Sequence, residues 1–171
     1  SDVCSSDLEY GFRYGLIPSY FADNYGLFIK ESSVGDFKTG VGVTNYIEPL
    51  EYEKTFNKLD IKVDLTAKLQ EVNVEMEKSY MGYYASFVQP YIELMNEETK
   101  TDLIEEDIKS TLDDMEIEEW ETENGSADMV GQKPFIIKCS GEYDKLIDNA
   151  GDKYLLKVGE LIGPQMELYS S

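Results

Sequence analysis

The chain has 171 residues, 42% of them hydrophobic, which suits one domain or one domain with part of another and is too apolar for a solvating acidic tail. Its formal charge of −20, from 35 acidic and 15 basic residues, repels polyanions and argues against nucleic acid or an anionic membrane surface as a partner. Histidine is absent, which removes the commonest general base and neutral metal ligand, and no apolar run approaches the roughly 18 residues that span a bilayer, so membrane insertion is not expected.

The opening "SDVCSSDL", residues 1–8, has neither hydrophobic period nor capping logic, and it lacks the basic and apolar regions of a targeting signal. Read through the genetic code, TCA GAC GTG TGC TCT TCC GAT CT reproduces the end of a sequencing-library adapter. We therefore expect residues 1–8 to be translated adapter, with natural sequence from about Glu9, in a fragment from an environmental assembly. Such residues are expected to lie outside the packed fold.

From Tyr10 to Pro49 the sequence is aromatic and glycine-rich, with short apolar runs punctuated by Gly, Pro, Asn and Asp. It predicts loops around one or two short strands, "GLFIK" best among them. Residues 9–50 therefore read as an irregular tail and linker draped over a neighbouring domain.

Ile61, Val63, Leu65, Ala67 and Leu69 then alternate with polar residues, as do Val72, Val74 and Met76. This predicts half-buried strands, with a bulge or tight turn near Gln70 and Glu71 where the face switches. Phe87, Val88, Tyr91, Ile92 and Met95 fall at helical spacing, interrupted by Pro90. Asn96 is a good N-cap for a helix whose apolar stripe is Ile104, Ile108 and Leu112, with Glu97 and Glu98 in the first turn.

"EIEEWETEN" alternates weakly around Ile117, with Trp120 nearby. "KPFIIKCSGEY" is a strand with Phe135, Ile137 and Cys139 on one face. "DNAGDK" is a turn, and "YLLKVGELI" a further strand. The expected class is α+β, mainly β. Residues 55–171 would form an antiparallel, sandwich-like β module with one or two helices inserted after its first hairpin.

Catalytic chemistry finds no foothold. Glu105, Glu106 and Asp107 are consecutive on a helix and fan outward, and Asp148 and Asp152 suit a turn. There is no calcium-loop pattern, and Gly40 and Gly42 lack the lysine and helix of a phosphate loop. Asn124-Gly125-Ser126 matches a glycosylation sequon, a weak signal. Cys4 belongs to the adapter stretch. Cys139 alternates with core residues and has no histidine to activate it, so it reads as a buried structural thiol. No catalytic, cofactor-binding or metal-binding residue is expected, nor any cofactor, and the chain is not expected to be an enzyme.

Three stretches, "YGLIPSYFADNYGLFI", "VNVEMEKSYMGYYASFVQPY" leading into "NEETKTDLIEEDI", and "AGDKYLL", together resemble the region downstream of the catalytic domain in bacterial transglutaminase-like proteins. The family's Cys, His and Asp lie upstream of the resembling segment, so none of its catalytic residues maps onto this chain. The resemblance implies a non-catalytic C-terminal accessory module, packed on the upstream catalytic domain of the same parent chain, with that parent often exported. A free-standing acidic domain binding a cationic peptide, a glycan or a metal is the alternative.

Overall fold

A computed structural model describes residues 17–35, 37–68 and 71–162. The expectation for residues 1–8 lies outside them. In chain order the elements are β1 (Asn24–Val34), β2 (Phe37–Ile47), β3 (Phe56–Lys68), β4 (Glu71–Met81), α1 (Glu97–Lys109), β5 (Glu116–Glu123), β6 (Phe135–Glu142), β7 (Ile147–Ala150) and β8 (Lys153–Leu156). They build a four-stranded sheet in the order β3-β4-β6-β5 and two separate hairpins, β1-β2 and β7-β8. The class is α+β, mainly β, as the periodicities predict. The face switch expected near Gln70 and Glu71 falls where β3 gives way to β4, and residues 69–70 lie outside the described ones.

The chain divides into two compact units. One takes in the described residues up to Asn57 with Tyr80–Ile92 and Asn124–Phe135; the other takes in Lys58–Ser79, Glu93–Glu123 and the described residues from Ile136.

The second unit holds most of the four-stranded sheet and the helix. Val72, Val74 and Met76 on β4 and Ile137 and Cys139 on β6 are all buried. The Tyr143 N–H donates to the Val72 carbonyl at 3.0 Å, and the Cys139 thiol meets the Met76 backbone. Numbers rise along β6 as they fall along β4, so the two strands run antiparallel. β5 pairs antiparallel with β6 and carries a bulge between Ile117 and Glu119. That extra residue explains the odd spacing of Ile117 and Trp120. They sit opposite Gly141 and Cys139, so the bulge returns both to the face that β6 buries.

Helix α1 begins as its sequence dictates. The Asn96 Oδ1 accepts from the Thr99 N–H at 2.8 Å, and Glu97 and Glu98 occupy the first turn. Ile104, Ile108 and Leu112 are each 0% exposed, so the whole predicted stripe is buried. Lys100 stands 5.9 Å from the centre of the Trp120 ring, and Lys78 on β4 reaches Asp107 and Ser110, so the helix lies on this face of the sheet.

The first unit contains the long β1-β2 hairpin. Both strands have 11 residues, longer than the short strands expected there. Its glycines act as strand residues, not as punctuation. A Cβ added at Gly42 would stand 3.0 Å from Leu27 Cδ1, at Gly40 3.1 Å from Ile29 Cγ2, and at Gly26 2.7 Å from Ile47 Cδ1. Each glycine makes room for a bulky neighbour across the pair.

Residues 82–95 form successive hydrogen-bonded turns, with Gln89 N–H to Ala85 O at 2.9 Å and Ile92 N–H to Val88 O at 3.1 Å, but no regular helix. The buried side chains are Ala85, Ser86, Gln89, Pro90 and Ile92; Phe87 is 66% exposed. Gln89 is fully buried because its amide works for the chain. Its Nε2 donates to the carbonyls of Asn124 (2.8 Å) and Lys133 (3.1 Å), tying down the 124–134 segment. Towards the C-terminal end, the expected strand "YLLKVGELI" is β8 over only four residues. A 3₁₀ turn at Val158–Leu161 follows it.

Candidate interaction surfaces

In the hairpin, directly opposed residues share a face. Tyr25 pairs with Tyr46, Leu27 with Thr44 and Ile29 with Gly42, so Tyr25, Leu27, Ile29 and Tyr46 project together. All four are exposed, Tyr25 at 72% and Leu27 at 68%. The Tyr25 and Tyr46 rings meet edge-on with centroids 5.5 Å apart. The Tyr46 hydroxyl donates to the Asp23 carboxylate, and that hydrogen bond is the main reason the phenol is held above its usual pKa.

The opposite face carries exposed Val41 and Val43 beside Phe28. Residues 24–47 contain two lysines, Lys30 and Lys38, and two acids, Glu31 and Asp36, so this ribbon is neutral within a chain of charge −20. Glu31 and Lys38 pair with each other at 2.8 Å. Among the described residues β1 and β2 pair only with one another. A two-stranded ribbon is marginal alone in water, and contiguous exposed apolar surface marks a contact face.

The second unit presents a different surface. The face of the four-stranded sheet turned away from α1 carries an open groove of about 860 Å³. Its lining includes five carboxylates, Asp60, Glu75, Glu77, Glu119 and Glu121, against two lysines, Lys62 and Lys138. Lys62 bonds Glu75 at 3.4 Å, and Lys138 bonds Glu121 at 3.4 Å and also Glu123. The Glu123 contact is the main reason the Lys138 pKa is raised. These ion pairs are exposed and worth little individually.

Beneath the sheet, on its covered face, lies a buried polar cluster that sequence reading did not single out. Lys78 is 5% exposed; its Nζ lies 2.9 Å from the Asp107 carboxylate, 2.7 Å from the Asp107 carbonyl and 3.4 Å from Ser110 Oγ. The signal was available: Lys78 continues the buried Val72, Val74, Met76 phase, and a lysine in that phase needs an acceptor from the covering element. Burial pushes the Cys139 thiol up to about 11, against the pull of the Lys78 charge and the Met76 backbone. A thiol so held is protonated at neutral pH and is a poor nucleophile.

Glu105, Glu106 and Asp107 do fan apart: Glu105 pairs with Lys109 at 3.2 Å, Glu106 is exposed and Asp107 turns inward to Lys78. Asp148 pairs with Lys157 at 3.3 Å beside the Gly151 turn, while Asp152 is an exposed residue of that turn. Among the described residues no group of three or more acids or cysteines is placed to hold a metal ion, and no helix is long and apolar enough to cross a membrane. Comparison with family models, curated proteins and solved structures finds no match for this chain.

Proposed function

We propose that this chain is a non-catalytic accessory module that packs against a neighbouring domain through the β1-β2 hairpin. The observation that carries the reading is the net-neutral ribbon that exposes Tyr25, Leu27, Ile29 and Tyr46 together in a strongly acidic chain. Apolar area left in water at this density is stabilising only once covered. A neutral patch is also where another folded surface can approach a polyanion with least repulsion. The transglutaminase-like resemblance supplies the partner, the catalytic domain upstream in the parent chain. The lack of histidine and the raised pKa of Cys139 support a module that leaves chemistry to that domain.

The parent gene tests this reading. Its upstream sequence should encode a Cys, a His and an Asp in an Asp-x-Thr context, and the purified chain alone should turn over neither peptide amides nor amine acceptors. Turnover by the chain that disappears in Cys139→Ser would sink the proposal.

A second reading draws on the open sheet face, where five carboxylates meet two lysines across one groove. It casts the chain as an acidic binding domain for a cationic peptide. Titration with an oligolysine at low and at physiological salt separates it from the first reading. Saturable binding that is weakened by Glu75→Gln and Glu119→Gln together would favour it.

A further inference from the structure

We draw no further inference here: the strongest candidate, the carboxylate-rich open face of the four-stranded sheet around Glu75, Glu77, Glu119 and Glu121, is an acidic cluster, and nothing in the structure shows what covers it.

Discussion

Cys139 and Lys78 are neighbours on the covered face of the sheet, and each makes a separable prediction. The folded thiol titrates at about 11 against an ordinary value of 9.0. Folding therefore retains a proton that the unfolded chain gives up. The associated stability is complete below pH 9 and is lost as pH rises from 9 through 11. At about 1.4 kcal/mol per pKa unit this is roughly 3 kcal/mol. Urea midpoints measured at pH 8 and pH 10.5 should fall more steeply for wild type than for Cys139→Val. Parallel falls in the two proteins would show that the thiol is not held in this way.

Lys78 makes the asymmetric case. Asp107→Ala leaves a buried ammonium without its carboxylate and is expected to cost about 3 kcal/mol, whereas Lys78→Met removes the charge with its partner still 30% exposed and should cost less. Equal losses in the two variants would contradict the account.

At the scale of elements, the helix and its stripe were legible because two independent signals coincide: an N-cap with acids behind it, and apolar residues at helical spacing. Ile108→Asp puts a charge at a fully buried position of the stripe and should cost several kcal/mol, while Ile108→Ala should cost about 2–5 kcal/mol. Chemical denaturation checks both, and an unchanged midpoint would mean the stripe is not docked.

Gly141 fits the same logic on β6. A Cβ there would lie 2.1 Å from the Glu116 carbonyl oxygen, so Gly141→Ala should lower the melting temperature by prying apart the end of the β5-β6 pair. A melting temperature equal to wild type would show that the backbones stand further apart.

Other elements were harder to read, for physical reasons. The β1-β2 strands hide behind Gly26, Gly40 and Gly42, whose missing side chains are filled from across the pair; glycine in a single sequence signals a turn just as readily. In residues 82–95 the helical spacing of Phe87, Val88, Tyr91 and Ile92 does not tell which of them is covered: Ile92 is buried and Phe87 is exposed. The decisive contact is polar: Gln89 is buried because two carbonyls distant in sequence need its donors. The Ile117/Trp120 spacing makes sense only with the bulge present. Cys139, by contrast, was legible as a buried thiol from strand alternation alone.

At the scale of the whole molecule, the β1-β2 ribbon combines exposed apolar side chains with neutrality, whereas other exposed apolar residues, such as Tyr52, Phe87 and Leu94, lie in the acidic remainder of the chain. Residues 24–47 are neutral and expose large apolar side chains on both faces, while the acidic excess lies elsewhere in the chain. The net charge of −20 opposes self-association of the chain through the ribbon. Leu27 and Ile29 lean over Gly42 and Gly40 but stay 68% and 52% exposed, so replacing them with aspartate removes little buried area. It should leave the unfolding midpoint within about 0.5 kcal/mol of wild type, as for surface substitutions generally.

The most direct measurement is calorimetric titration of this chain with the upstream catalytic domain that we propose as its partner, alongside the Leu27→Asp, Ile29→Asp double variant. We predict saturable one-to-one binding by wild type and at least tenfold weaker binding by the variant, with both proteins folded by circular dichroism. Wild-type binding that is absent, or that survives both aspartates undiminished, would contradict the assignment of the hairpin as the packing surface.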